Sequence, residues 1–141
     1  MTNKHGFWRY QFPAIGWAAL IFGLSSLPSS VITIPTPIHV DKAFHAAIFF
    51  VFCLLLNRAF LNQHHMPSLS RHHLFISLLV VIVYGITDEL HQTVVPGRAP
   101  DFYDALADSL GGAVCTLYLL LSKFQAIRRA DSTQKSESRN P

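Results

Sequence analysis

The chain has 141 residues, a length that suits one domain, with half of them apolar, 13% charged and a formal net charge of +3. Soluble domains are charged at roughly 25% of positions. The composition therefore argues against an ordinary soluble enzyme, and the short polar connections leave no room for a separate soluble domain.

A helix needs about 20 largely apolar residues to cross roughly 30 Å of hydrocarbon. Four such windows follow one another, at about 10–30, 41–61, 72–92 and 104–124. The first has a basic start (Lys4, Arg9) but is long enough to span and lacks a small-x-small cleavage site, so it reads as a span and not a cleaved leader. Trp8, Tyr10 and Trp17 near its start read as interfacial anchors. A connection rich in proline (Pro28, Pro35, Pro37) leads to the second window, and the links at 62–71 and 93–103 are equally short. Short links make consecutive helices antiparallel neighbours. Cys53 and Cys115 fall mid-window and read as small packing residues. Residues 125–141 are polar without apolar periodicity and read as a disordered tail. The fold class expected is all-α: an integral membrane four-helix bundle occupying 1–124, both termini cytoplasmic.

Lysine and arginine set the orientation. Nine of the eleven lie on the side of the termini and the second connection, and only Lys42 and Arg98 lie on the other. The basic side is the cytoplasmic one, so the basic balance reflects topology and anionic lipid, with no nucleic-acid partner. Acids behave oppositely. Asp41, Asp88, Glu89, Asp101, Asp104 and Asp108, six of eight, lie toward the outward side. Acids contribute little to orientation, so their clustering has a separate cause.

Spacing groups them. Asp41 and His45 are four apart on one helix face; Tyr84, Asp88, His91 and Gln92 form a stripe with Glu89 beside it; Asp101, Asp104 and Asp108 form another that continues into Gly111, Gly112 and Cys115. An ionisable group in lipid costs about 2.5–3.5 kcal/mol even on the lenient scale. These groups are expected to converge on one polar cleft, with Lys42 paired to Glu89 or Asp88 and Arg98 to Asp101 or Asp104. Binding candidates are Asp41, Lys42, His45, Tyr84, Asp88, Glu89, His91, Gln92, Arg98, Asp104 and Asp108. His45, Asp88, Glu89 and Asp104 are the candidates for acid/base chemistry. Asp41, His45, Asp88 and His91 have spacings compatible with a metal, although no H-E-x-x-H element is present. Which cofactor, if any, the chain takes is not readable from the residues.

The segments DKAFH, YGITDELHQTVVPGR and DALADSLGG resemble the VanZ-like family of small bacterial membrane proteins, over roughly the span Ser25 to Gly112. The positions that match its motif are Asp41, Lys42, His45, Asp88, Glu89, Gln92, Arg98, Asp104 and Gly111. Asp108 departs from it, standing where the family usually has Asn. The resemblance implies a bacterial cytoplasmic-membrane protein linked to the cell envelope, of a family whose prototype is associated with teicoplanin resistance. Three readings stand open. One is a binder of a lipid-linked cell-wall precursor or phospholipid at an outward-facing cleft, with Arg98 and Lys42 as anion handles. The others are an enzyme modifying such a lipid and an accessory membrane subunit.

Overall fold

The computed structural model describes residues 6–29, 38–63 and 65–137. Lys4, Pro35, Pro37, His64 and Arg139 lie outside the described residues. Helix α1 spans Phe12–Ser25 and is preceded by a π-helical turn, Phe7–Gln11. Helix α2 spans Ile38–Leu61, a short α3 spans Pro67–Arg71, α4 spans His73–Gln92 and α5 spans Phe102–Glu137. Among the described residues there is no strand.

Three helices are long and apolar enough to cross a membrane: Val40–Leu61, His73–Gln92 and Phe102–Gln134. The first window, read as one span over 10–30, is instead divided and shorter. Pro13 has no N–H for the bond to Arg9, and the Phe12 N–H bonds five residues back, to Phe7. The helix stops at Ser25, three residues before Pro28, in whose vicinity helical backbone is disfavoured. Within the second connection, Pro67 at a helix start nucleates α3. The largest difference is at the other end: α5 continues to Glu137, where an irregular tail was expected. After Gly112 the chain has no Gly or Pro before Pro141 and is rich in Ala, Gln, Arg and Lys, so nothing breaks the helix.

α2 is the central helix, packed on α5 and α4, and α5 packs on α4; α1 lies against α2 and α4. The core holds Phe49, Phe52, Cys53, Val81 and Cys115, joined by Ala14 and Ile21 of α1. Both cysteines are free and buried, as packing residues would be, with Cys53 Sγ 3.6 Å from the Gly112 carbonyl. The outside is apolar as well. Phe75, Leu79, Val83, Ile86 and Leu90 recur at spacings of three and four along α4, and all are exposed. A soluble helix turns such a stripe to the core. Here it faces outward, which suits lipid as solvent and not water.

Glycines bring the backbones close where the polar groups meet. A Cβ at Gly111 would lie 2.1 Å from the Ala46 carbonyl oxygen, and one at Gly112 would lie 2.7 Å from Val81 Cγ1. Gly111 therefore admits α2 and Gly112 admits α4, as small residues do in membrane bundles.

At the end of the bundle away from the termini lie the C-terminal ends of α1 and α4 and the N-terminal ends of α2 and α5. At the opposite end, His73 holds α4 to α2 through Asn57, with Nδ1 and Nδ2 2.8 Å apart.

Candidate functional site

α5 begins with Asp101 as its N-cap. The Tyr103 N–H donates to Asp101 Oδ1 at 2.8 Å, the bond that makes Asp a favoured cap. The Asp101 N–H itself donates to Glu89 Oε2 at 2.7 Å. Glu89 thus supplies, from a neighbouring helix, what the third residue of a helix supplies in a capping box. That third residue, Asp104, is occupied elsewhere. Lys42 Nζ donates to Asp104 Oδ1 and to Asp101 Oδ2, the latter at 2.6 Å, with Asp41 Oδ2 at 3.6 Å. The hydrogen bond from Lys42, followed by that from the Tyr103 N–H, holds the Asp101 carboxyl below its ordinary value of 3.8.

These contacts correct the expected ion pairs. Lys42 reaches Asp101 and Asp104, not Glu89 or Asp88, because the Gly111 contact sets the first turn of α2 against the first turn of α5. Arg98 has no carboxylate partner among the described residues. Its Nε donates to the Leu27 carbonyl at 3.3 Å and its Nη2 to that of Leu24 at 3.5 Å, at the C-terminal end of α1, where a cation is favoured. Gly97 makes this return possible. Its φ is +76°, and a Cβ there would lie 2.3 Å from Ser29 Oγ, so only glycine fits the turn.

His45, one turn after Asp41, reaches α5. Its Nδ1 is 3.0 Å from Asp108 Oδ1 and its Nε2 is 3.8 Å from Asp104 Oδ1. With Asp108 ionised, the Nδ1–H donates to Asp108 and Nε2 is left as the basic nitrogen. The Asp108 side chain is wholly buried, and its Oδ2 has no hydrogen-bond partner among the described residues. It presses on Gly85, where a Cβ would stand 3.0 Å from both Asp108 Cβ and Oδ2. Gly85 is a site residue that spacing alone did not select. The signal was there: a glycine inside a helix costs about 1 kcal/mol relative to alanine, so it needs a packing reason.

A cavity of about 440 Å³ opens beside these groups, bounded by α1, α2 and α4. Its lining combines polar side chains, Ser25, Asp41, His45, Asp88, Gln92 and Arg98 among them, with the apolar Ile21, Leu24, Phe44, Ile48 and Phe49. Ser25 is 6% exposed and its Oγ has no hydrogen-bond partner among the described residues. Asp88 is equally buried, and its hydrogen-bond partner among the described residues is Gln92 Nε2, at 3.3 Å; the same nitrogen serves Glu89 Oε1 at 3.3 Å. A second cavity of about 340 Å³ lies toward the other end of the same helices, lined almost wholly by apolar side chains with Gln11, Gln63 and Tyr84.

The stripe on α4 splits by function. Asp88 and Gln92 line the first cavity, and Glu89 caps α5. Tyr84 and His91 reach α1 instead: the Tyr84 hydroxyl donates to the Ala18 carbonyl at 2.7 Å, and His91 Nε2 is 3.0 Å from Ser26 Oγ, with its ring 4.6 Å from that of Phe22. Trp17, read as an interfacial anchor, donates its indole N–H to the Ile48 carbonyl at 3.1 Å and so joins α1 to α2. Of the spacing-based metal set, Asp41 and His45 stay together and are joined by Asp104, their ligand atoms all within 4.8 Å of one another. His91 is turned away to Ser26. The Lys42 ammonium shares Asp104 with this set and opposes a second cation there.

Every position that carries the resemblance stands at this one end of the bundle. No curated protein and no solved structure matches the chain. The model of one family matches residues 5–123, which takes in α1 to α4 and α5 as far as Lys123, and the chain therefore belongs to the VanZ/LLP1 family.

Proposed function

We propose that this membrane protein sits in the bacterial cytoplasmic membrane with both termini inside, and that its cavity faces the periplasm or exterior and holds the head group of an amphiphile. A lipid-linked cell-wall precursor or a phospholipid is the ligand class. The observation that carries this reading is the mixed lining of the cavity, where charged and polar groups stand beside large apolar side chains. Binding sites for small molecules combine apolar lining with a few placed polar groups, and an amphiphile at a membrane surface has both halves. The basic-residue asymmetry supports the orientation. Of the two expected anion handles only Arg98 lines the cavity, since Lys42 is held by carboxylates.

Leu24→Trp tests the reading. Leu24 lines the cavity yet is 45% exposed, so a larger side chain there fills space without entering the core. Native mass spectrometry of the purified protein should find a retained lipid that this variant loses. Retention equal in both would refute cavity binding. The family resemblance adds a cellular readout, teicoplanin susceptibility, which should change with the same variant.

One observation favours an enzymatic second reading: His45 holds its Nδ1 on a fully buried carboxylate and lines the cavity with its ring. A histidine fixed in one tautomer is suited to general acid/base work. Conversion of the retained lipid, abolished by His45→Gln, would establish this reading; recovery of unchanged lipid would leave only the binding role.

A further inference from the structure

We infer that the head group taken by the cavity carries a primary ammonium as well as an anionic phosphate, the ammonium toward Asp88 and Asp41 and the phosphate toward Arg98. This rests on the amphiphile reading above and specifies its ligand.

The charge on the cavity wall is the starting point. Two carboxylates, Asp41 and Asp88, line it with one guanidinium, Arg98. The other nearby cation, Lys42, is engaged by Asp101 and Asp104 and is 3.6 Å from Asp41. A purely anionic head group would therefore meet more negative charge than positive.

The outward acids other than Asp88 have local reasons to be there; Asp108, for one, lies 3.0 Å from His45 Nδ1. Asp41 and Asp104 lie in the first turns of α2 and α5, where the helix dipole favours a carboxylate, and Asp101 caps α5. Glu89 accepts the Asp101 N–H. Asp88 has no such reason. It lies in the last turn of α4, the negative end of that helix. It is 6% exposed, and the donor it has is a neutral amide, at 3.3 Å and shared with Glu89. A buried carboxylate with so little compensation calls for a cation. Independently, Ser25, which lines the same cavity, has a buried hydroxyl without a hydrogen-bond partner among the described residues, suited to accept an ammonium N–H or donate to a phosphate oxygen. Arg98 makes only long bonds, at 3.3 and 3.5 Å, to neutral carbonyls, so donors remain for an anion. Negative, polar and positive groups lining one cavity match a head group that bears both charges.

The test compares amines with their amides. The purified full chain is offered equimolar phosphatidylethanolamine and its N-acetyl derivative with the same acyl chains, and native mass spectrometry measures what is retained. A parallel pair is a polyprenyl-phosphate-linked amino sugar and its N-acetyl form. In at least one pair the free amine should be retained roughly tenfold over the amide, as one charge-assisted hydrogen bond allows. The pair with the tighter amine identifies the source of the ligand. Asp88→Asn should reduce that preference below about threefold; should this variant fail to fold, the amine-to-amide ratio on the unsubstituted chain decides alone. If both forms in both pairs are retained equally, and Leu24→Trp abolishes their retention, the ammonium claim is overturned while the amphiphile site stands. If no lipid shows retention sensitive to Leu24→Trp, both fail.

Discussion

Replacing Lys42 with methionine removes the cation that joins α2 to α5 and keeps the length of the side chain. Lys42 is 21% exposed and Asp104 13%, so the pair is neither a free surface bridge nor a dry one. Breaking a buried pair by deleting one member costs about 3–5 kcal/mol, and exposed pairs contribute about 0–1. The intermediate burial places the Lys42–Asp104 loss at about 2 kcal/mol. At about 4 °C per kcal/mol for a chain of this size, the thermal midpoint falls by about 8 °C. Tryptophan fluorescence of the detergent-solubilised protein reads it. Adding Asp104→Asn to Lys42→Met should restore part of the loss, because the uncompensated charge is then gone. Acid titration gives a second check. Asp101 has its folded value depressed by Lys42, so its contribution is present above 3.8 and is lost as the pH falls through the depressed value. The gap between wild type and Lys42→Met should be full at pH 7 and narrow below pH 3.8. An unchanged midpoint in Lys42→Met at pH 7 would refute the account of this junction.

Five further substitutions, at four positions, test the packing and hydrogen bonds elsewhere in the bundle. Gly111→Ala forces a Cβ to within 2.1 Å of the Ala46 carbonyl, so it should destabilise by about 3 kcal/mol in the same melt. Gly16→Ala has nothing within 4 Å and should be neutral or stabilise by about 0.5–1 kcal/mol. Tyr84→Phe removes the bond to the Ala18 carbonyl and should cost about 1 kcal/mol, with faster hydrogen exchange confined to α1. Asp108→Leu leaves the His45 Nδ1–H unpaired and should cost about 1–3 kcal/mol, whereas Asp108→Asn keeps an acceptor at Oδ1 and should cost less.

Hydropathy made the three long spans legible, since α2, α4 and α5 begin within three residues of the expected windows. It also located the polar end, because antiparallel neighbours necessarily bring the DKAFH, DELHQ and DALAD segments to one side. Hydropathy does not report breaks, so the π turn before Pro13 and the short α3 at Pro67 were not apparent. It also overlooked α5 beyond Phe124, where helix propensity without amphipathicity is enough to continue a helix already begun. Side-chain partners were the least legible. Spacing grouped residues along each helix, but the rotation of a helix about its own axis was not available from it. That rotation is set by backbone contacts at Gly111, Gly112 and Gly85. It decides that Lys42 meets Asp104 and not Glu89, that Arg98 returns to α1, and that Tyr84 and His91 hold α1 instead of facing the acids.

The most direct test of the cavity as a lipid site is photocrosslinking with a phospholipid that carries a diazirine next to its head group. Crosslinks should concentrate on Ile21–Ser29 and Asp41–Phe49, the parts of α1 and α2 that border the cavity, and should disappear in Leu24→Trp. Crosslinks spread evenly along the outward stripe from Phe75 to Leu90, and unchanged in Leu24→Trp, would contradict it.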